Sequence, residues 1–328
     1  MSKYLLIFGL FLLCLSHKLQ AQDRQYIPDT VLINGDTLLM LGDSLIIEEP
    51  VKEIFWKTGG NYNLNIQQVT LSNWAAGGAS SFALNSGLTL YANYKKDNKV
   101  WDTQLTVSLG FSRQDDRSYK TRKTSDNFTF VSNYGRELSE FFYLSTQLDA
   151  RTQLLGGYKY NAVNDLVTRT KISDLLSPGY VQSSTGLNYR KTYKDKSKIS
   201  VILSPFTGRF TIVLDDSLSR AGAFGVEPGE NVRAEAGVSV AASVSDIKLM
   251  KNVTWKSDIN LFSNYEVFGN MVVNFNSVIR MQVNKFISTR IETVLIYDEE
   301  VFIKQDDGSS KQAVQLQNLI NFGISLDF

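Results

Sequence analysis

The sequence predicts an all-β fold, a transmembrane antiparallel β-barrel of about twelve strands with a short N-terminal periplasmic extension. Three observations support this prediction. Apolar and polar residues alternate strictly through the last segment as far as Phe328, and eleven earlier segments alternate in the same way. After the N-terminal segment, no stretch approaches the roughly 20 consecutive apolar residues of a spanning helix. A closed barrel is then the remaining way to cross a bilayer.

The first 21 residues predict export. Lys3 precedes an unbroken apolar run from Tyr4 to Leu15, and a polar stretch then leads to Ala21. This run is too short to span a bilayer as a helix and is typical of a secretory signal peptide cleaved after Ala21. The predicted location is therefore the outer membrane of a Gram-negative cell. Lipidation at Cys14 is the alternative, but the preceding Leu13 is larger than the residue such a site needs.

The composition excludes several kinds of chemistry. Cys14 and His17 are the only cysteine and histidine, and both lie in the predicted signal peptide. The exported chain then has no disulfide, no thiolate or imidazole metal ligand and no histidine-activated nucleophile. The sequence predicts no catalytic residue, metal or cofactor. Loss of Lys3 and Lys18 changes the formal charge from +1 to 1 − 2 = −1, which gives no reason to expect nucleic acid as a partner.

Residues 22–58 are predicted to form the periplasmic extension or a plug. Two turn signals, Asn34-Gly35-Asp36 and Gly42-Asp43-Ser44, separate three short apolar runs. The runs are Val31 to Ile33, Leu38 to Leu41 and Leu45 to Ile47. A hairpin, a plug inside the barrel, a tail that binds a partner and an ordered extension without a separate function all fit this pattern.

Residues 59–328 are predicted to form the barrel. The alternating segments run near 61–70, 81–94, 98–113, 126–135, 140–156, 180–193, 197–214, 231–246, 252–265, 271–284, 287–297 and 313–328. An even strand number fits a barrel with both chain ends in the periplasm. If the first strand runs outward, the inner connections are short and most outer ones are long, as in outer-membrane barrels. Pro205 and Gly208 interrupt the seventh segment and predict a β-bulge.

The two faces of each segment predict their surroundings. In the third segment Trp101, Leu105 and Phe111 share an apolar side that would face lipid, whereas Asp102 and Gln104 would face the lumen. Aromatic residues near segment ends predict an interfacial girdle. They are Tyr94, Trp101, Phe142, Tyr189, Trp255, Tyr265, Tyr297 and Phe328. A soluble barrel with a packed interior would give the same periodicity, but several segments have 14 or more residues, against roughly 5 to 6 in globular sheets.

Charged residues on the polar face are the candidate lumen-lining residues. They are Asp149, Arg190, Arg233, Glu235, Lys256, Asp258, Arg280, Arg290 and Glu292. Three pairs have opposite charges two residues apart on one face, namely Arg233 with Glu235, Lys256 with Asp258 and Arg290 with Glu292. A salt-bridge ladder that fills and stiffens a narrow lumen and a polar path for small solutes both fit this pattern.

Three functions are compatible with such a barrel, and the first is favoured. It is a narrow, porin-like channel or solute-uptake protein. The second is a non-conducting structural or accessory subunit of a larger outer-membrane complex. The third is a histidine-free surface enzyme that uses loop pairs such as Asp115-Asp116, Asp215-Asp216 and Asp306-Asp307. Such pairs could also bind Ca²⁺ weakly, but most are ordinary solvated loop residues. The sequence predicts that the protein is not an enzyme.

Two stretches resemble known families. Trp56-Lys57-Thr58-Gly59-Gly60, followed by Leu71-Ser72-Asn73-Trp74-Ala75-Ala76-Gly77-Gly78, resembles an uncharacterised Bacteroidota outer-membrane family, a domain of unknown function with an Asn-Trp-Ala-Ala-Gly-Gly motif. The resemblance extends from Trp56 to Phe328 and implies fold and location without an activity. The last strand resembles that of many outer-membrane barrels, which implies that Phe328 is an assembly signal. The expected partners are outer-membrane lipid, the barrel assembly machinery and a further outer-membrane protein.

Overall fold

The computed structural model describes residues 30–33, 36–41, 44–47, 55–69, 80–114, 118–163, 166–284, 286–299, 301–304 and 310–328. The chain divides into two compact units, Met1–Ile54 and Phe55–Phe328. The first unit contains a three-stranded antiparallel sheet, formed by β1 (Thr30–Ile33), β2 (Asp36–Leu41) and β3 (Ser44–Ile47). These strands coincide with the three apolar runs between the predicted turns.

The second unit contains the remaining strands. They are β4 (Trp56–Val69), β5 (Ser81–Lys96), β6 (Lys99–Gln114), β7 (Thr121–Ser139), β8 (Phe142–Thr152), β9 (Gly157–Val163), β10 (Leu166–Ser173), β11 (Gly179–Thr192), β12 (Lys198–Ile212), β13 (Val232–Met250), β14 (Val253–Asn264), β15 (Met271–Gln282), β16 (Ile287–Asp298), β17 (Phe302–Lys304), β18 (Ser310–Gln312) and β19 (Gln315–Asp327). Twelve of them form a closed barrel in the order β4-β5-β6-β7-β8-β11-β12-β13-β14-β15-β16-β19, and β19 returns to β4.

This architecture confirms the predicted all-β fold and the antiparallel barrel of twelve strands. Each predicted segment corresponds to one barrel strand. The largest differences are at the starts of β4 and β7, which begin five residues earlier than the alternation indicates. The added part of β7 is polar and pairs with β6 as far as Arg113 opposite Thr121. Ladder hydrogen bonds hold such a segment in the sheet although it has no apolar period to reveal it.

The two ends of the barrel differ in their connections. At the turn end, strands are joined by the short segments 97–98, 140–141, 193–197, 251–252 and 283–286. At the loop end, the connections are 70–80, 115–120, 153–178, 213–231, 265–270 and 299–314. Most of these are long, as predicted, and Phe328 and the start of β4 lie at the turn end.

The loop end contains additional elements. Strands β9 and β10 form a hairpin, and β17 pairs with β18. The connection 213–231 contains helix α1 (Asp216–Arg220) and a 3-10 turn (Ala223–Gly225), and it buries Val213, Leu218 and Val226 in a small core of its own. The alternation predicted these segments only as long connections. Among the described residues, no helix is long and apolar enough to cross a membrane.

The barrel is apolar outside and polar inside. Large outward side chains are exposed, among them Leu144, Leu148, Leu187, Val201, Leu203, Phe210, Ile320, Phe322 and Ile324. Inward side chains are mostly small and polar and are buried, among them Asn133, Ser145, Gln182, Ser184, Asn188 and Ser239. A soluble barrel would bury the apolar set, so this arrangement is the inverse of a packed soluble interior.

A β-bulge interrupts β12 at Pro205 and Phe206, as predicted. Ser204 pairs with Ser239 of β13, but the next pair joins Thr207 to Gly237, so β12 has one extra residue. Proline has no N–H to donate to the ladder and is tolerated at such a position. Because the extra residue reverses the alternation, Thr207 and Arg209 face the lumen beyond the bulge, whereas even-numbered residues such as Ser204 face it before the bulge.

Aromatic rings gather at the turn end. The ring of Trp56 lies 5.1 Å from that of Tyr94 and 5.7 Å from that of Trp101, measured between centroids. The ammonium group of Lys96 lies 4.4 Å from the centroid of the Phe55 ring. Aromatic rings combined with lysine form the kind of rim that lies at a membrane–water interface.

Candidate functional site: the polar lumen

A buried ionic cluster lies in the lumen near the loop end. Arg209 of β12 donates from Nη2 to Asp298 of β16 at 2.8 Å, and its Nη1 lies 3.7 Å from Glu235 of β13. The Arg209 guanidinium also lies 5.4 Å from the Tyr180 ring and 5.7 Å from the Phe262 ring. Strands β12 and β16 are four positions apart in the barrel, so this ion pair crosses part of the lumen.

A second arginine connects this cluster to the loop end. Arg233 contacts Glu235 at 2.9 Å and donates from Nη1 to the carbonyl oxygen of Gly225 at 3.0 Å. Gly225 belongs to the 3-10 turn of the connection 213–231. Since Arg233 points inward, its bond to Gly225 places part of this connection at the mouth of the lumen.

One contact joins opposite walls of the barrel. Lys256 of β14 donates from Nζ to Oε1 of Gln104 of β6 at 3.3 Å. These strands are six positions apart in the ring of twelve, so the two side chains span the lumen. We call Lys256 and Gln104 the constriction pair. The lumen is therefore narrowed by polar side chains that meet across it.

Arg190 organises the lumen near the turn end. This residue of β11 forms an ion pair with Asp102 of β6 at 2.8 Å and donates to the side-chain oxygen of Asn133 of β7 at 3.3 Å. Its guanidinium also lies 5.7 Å from the Tyr143 ring. The three partners lie on three different strands, so Arg190 links neighbouring parts of the wall.

The remaining predicted lumen residues form pairs along the wall. Asp149 accepts from Arg151 at 2.7 Å, and Arg290 contacts Glu292 at 3.1 Å. Arg280 of β15 forms an ion pair with Asp327 of β19 at 2.9 Å, across the intervening β16. Asp258 lies opposite Asn276 of β15 in the ladder. Two of the three predicted pairs, Arg233 with Glu235 and Arg290 with Glu292, thus form contacts. Lys256 instead bonds to Gln104 of β6 rather than to Asp258 of its own strand.

Several inward polar atoms lack a protein partner. Among the described residues they include Oδ1 of Asn260 and Oδ1 of Asn276, on neighbouring strands. A buried acceptor left without any partner costs about 1–3 kcal/mol. These two oxygens therefore favour a lumen that contains water or a polar solute over a dry one.

Among the described residues, the sequence prediction missed the most buried arginine of the lumen. The Arg209 side chain is only 7% exposed, but simple alternation puts it on the lipid face because the bulge reverses the order. The proline and glycine in Ser204-Pro205-Phe206-Thr207-Gly208 are the signal that could have revealed it. Gln104 was assigned to the lumen but carries no charge, so nothing distinguished it as a partner for Lys256.

Of the three acidic loop pairs, only Asp215-Asp216 lies within the described residues. Asp215 accepts hydrogen bonds from the backbone N–H groups of Ser217 and Leu218 and so caps helix α1. Asp115, Asp116, Asp306 and Asp307 lie outside the described residues. Within the described residues, no three His, Cys, Asp or Glu side chains come together as metal ligands would.

A lysine ties two loop-end connections together. Lys171 donates to Asp174 at 2.7 Å and to Asp215 at 2.8 Å, and the backbone N–H groups of Leu214 and Asp215 donate to Oγ of Ser177. The bond from Lys171 holds the pKa of Asp215 well below its usual range, and the Ser217 hydroxyl adds to this effect. The same lysine lowers the pKa of Asp174, and the two carboxylates raise the pKa of Lys171.

We call the ion pairs of Lys171 with Asp174 and Asp215 the ionic lock, and we expect them to weaken in acid. A carboxyl whose folded pKa is lowered contributes stability above its unfolded pKa of about 4, and this contribution is lost as the pH falls toward the folded value. The raised pKa of Lys171 keeps the lysine charged at neutral pH. Its deprotonation, which would also break the ion pairs, occurs only far above pH 7. We expect hydrogen exchange of residues 213–228, corrected for its intrinsic pH dependence, to rise between about pH 6 and about pH 3. A K171M variant should show fast exchange at both pH values. If its exchange depended on pH in the same way as that of the wild-type protein, the lock would be contradicted.

Comparisons with known proteins give similarity at the level of the fold. A family model described as "Protein of unknown function (DUF3078)" matches residues 66–158. This range includes the Asn73–Gly78 motif, which lies outside the described residues, and no curated protein matches the sequence. Among solved structures, the chain is similar to the translocator domain of the autotransporter NalP from Neisseria meningitidis, at 8% identity and a TM-score of 0.34, covering 85% of this chain and 89% of the other.

Two further solved structures are similar at the same level. One is the beta domain of the Bordetella autotransporter BrkA, at 9% identity and a TM-score of 0.30, with 84% of this chain and 97% of the other covered. The other is OmpT, an outer membrane protein of Vibrio cholerae, at 9% identity and a TM-score of 0.31, with 86% and 100% covered.

Proposed function

We propose that this protein is an outer-membrane β-barrel whose lumen is a narrow, hydrated passage for small polar solutes. The observation that carries the proposal is the constriction pair, because Lys256 and Gln104 meet across a lumen that is lined mostly by polar side chains. An open pore of the large porin type would keep its opposite walls apart. The unpartnered side-chain oxygens of Asn260 and Asn276 favour a hydrated lumen over one that is filled and sealed by salt bridges.

The outer surface supports the membrane location. Phe206, Ile320 and Phe322 are exposed by 76%, 75% and 65% and point away from the lumen. A continuous exterior of such side chains would drive aggregation in water, whereas lipid tails solvate it. Outer-membrane lipid and the barrel assembly machinery are therefore the partners that this proposal includes.

The charges in the lumen support weak ion selectivity. Arg190 faces Asp102, Arg233 faces Glu235 and Arg290 faces Glu292, so each of these three arginines is balanced by a nearby anion. Selective channels concentrate one sign of charge at a constriction. At the constriction, Asp258 lies two residues from Lys256 on the same inward face of β14 and offsets its charge, so we expect small cations and anions to pass at similar rates.

Neutral, shorter side chains at the constriction should widen the passage. We expect the double variant K256A/Q104A to raise the single-channel conductance at least about twofold, because the contact across the lumen is removed. The measurement is made in a planar bilayer with the refolded protein that starts at Gln22. K251A is the matched control, because it removes the same charge from an exposed turn outside the lumen.

Two outcomes would overturn the proposal. Membranes that contain folded barrel but show no conductance would favour the non-conducting accessory subunit. A conductance that is equal in K256A/Q104A and K251A would show that Lys256 and Gln104 do not form the narrowest part of a passage.

A further inference from the structure

The inner wall formed by β15, β16 and β19 carries four aliphatic side chains that adjoin one another. Val278 and Leu319 are the ladder partners of Glu292, one on each side. Val294 and Ile296 follow Glu292 on the inward face of β16. Diagonal neighbours in an antiparallel ladder are close enough for their side chains to interact. We call Val278, Val294, Ile296 and Leu319 the apolar strip.

The apolar strip is an exception in this lumen. Most inward side chains are polar, and the inward Val131 of β7, for example, has Gln104 and Asp149 as its ladder partners. Ile296 is 36% exposed although it points away from the lipid, so its free surface lies in the lumen. Aliphatic surface in contact with water is unfavourable. The strip therefore favours a solute that covers it with an apolar part of its own.

Two arginines adjoin the strip on the side of the turn end. Arg280 and Arg290 are ladder partners. Asp327 forms an ion pair with Arg280, and Glu292 forms one with Arg290. These four charges sum to zero, so they favour neither an anion nor a cation. Among the described residues, the Nε atoms of the two arginines have no protein partner and can donate to an acceptor.

An open acceptor lies beside the strip. Asn276 of β15 is the ladder partner of Val294, and within the described part of the chain its Oδ1 has no protein partner. Open donors and an open acceptor around one apolar strip match a hydroxyl group, because a hydroxyl both donates and accepts. A carboxylate or an ammonium group would match only one of the two kinds and would disturb the balance of charge.

We propose that the apolar strip and the polar groups beside it form a binding site in the lumen for a neutral molecule with a hydroxylated head and an aliphatic chain. The chain would lie against Val294, Ile296 and Leu319 while the hydroxyl groups bond to the arginines and to Asn276. This site rests on the proposed passage and names the class of solute that the passage favours.

Binding is measured as protection of a cysteine from a water-soluble maleimide, with the protein in phosphatidylcholine vesicles. Q317C places the thiol beside the strip, because Gln317 is exposed and is the ladder partner of Val294. N127C is the matched control, because Asn127 is exposed and lies opposite Ser108 on a polar part of the inner wall. A chain that starts at Gln22 has no other cysteine. The probes are hexyl β-glucoside and methyl β-glucoside, which share a neutral hydroxylated head and differ only in the length of the alkyl chain.

The longer alkyl chain is expected to decide the affinity. Hexyl β-glucoside should protect Q317C at a concentration at least about tenfold lower than methyl β-glucoside needs, because its chain is removed from water. Neither glucoside should protect N127C. Threonine has nearly the shape of valine but adds a hydroxyl, so V294T in the Q317C chain should raise the half-protecting concentration of hexyl β-glucoside about threefold. V131T in the same chain should leave that concentration unchanged.

The outcomes separate the binding site from the proposed function. Equal protection by the two glucosides, equal protection of Q317C and N127C, or equal effects of V294T and V131T would each overturn the site even if the protein conducts ions. If the maleimide labels neither cysteine in the folded barrel, the lumen is closed to small solutes, and the proposed passage fails together with the site.

Discussion

Replacement of Arg209 by methionine is expected to lower the free energy of unfolding by about 3 kcal/mol, because one partner of a buried ion pair is removed. Arg209 contacts Asp298 at 2.8 Å, and the side chains of Arg209, Asp298 and Glu235 are only 7%, 5% and 3% exposed. Asp298 would lose its short ion pair at a buried position, where a charge is costly unless it is paired. The unfolding midpoint in urea and the heat-modifiable gel shift of the refolded barrel measure this effect.

Two further variants test this interpretation. R209M/D298L removes both charges and should recover most of the loss, because apolar replacement of a buried pair is often neutral or better. Glu235 keeps Arg233 as a partner in that variant. R190M is the matched control, because the carboxylate of its partner Asp102 is 42% exposed and its ion pair is worth about 1 kcal/mol or less. A loss in R209M no larger than that in R190M would contradict a buried ionic cluster.

The barrel could be predicted from the sequence because its strands have one polar face and one apolar face. In β6, Trp101 and Phe111 alternate with Asp102 and Gln104, and a period of two over such a length has few other interpretations. The polar end of β7 had no such signal, since it is held only by its ladder with β6. The number of strands could be predicted from the periodicity, whereas the position of each strand end depends on hydrogen bonds to the neighbouring strand.

Contacts across the lumen could not be predicted in the same way. Alternation assigns Lys256 and Gln104 to the inner face, but which strands lie opposite each other depends on closure of the whole ring. Arg209 was missed because the bulge at Pro205 reverses the alternation within one strand. The local sequence signalled a bulge without saying which side chains would turn inward beyond it. The charged site therefore follows from register, which is a property of strand pairs rather than of single strands.

The pairing of β4 with β19 shows the same dependence on strand pairs. Alternation identifies both as barrel strands but does not say how far they pair with each other. Their ladder runs only from Asn61 with Asp327 to Leu64 with Ile324, whereas β4 pairs with β5, and β19 with β16, over longer stretches. Periodicity identifies the strands of a barrel, whereas only the structure shows which of their edges meet.

Addition of one methyl group at Gly186 is expected to be about as damaging as the loss of a buried ion pair. Gly186 lies on β11 against the part of β12 that precedes the bulge, and an alanine Cβ there would lie 2.5 Å from Cα of Ser204 and 2.7 Å from the carbonyl carbon of Leu203. These are backbone atoms, so no side chain can rotate away. Overpacking of this kind costs about 1–3 kcal/mol or more. G186A should lower the urea midpoint and the yield of refolded barrel.

The bulge itself provides the control for this prediction. Gly208 lies on the other side of the bulge, and a Cβ there would have its nearest neighbour at 4.0 Å, the ring of Phe210. G208A adds the same methyl group without a clash and should leave the midpoint nearly unchanged. Equal midpoints for the two variants would contradict close packing of β11 against the bulge. If G186A alone is impaired, this close approach holds the bulge in position, and the bulge in turn directs Arg209 into the lumen rather than into lipid.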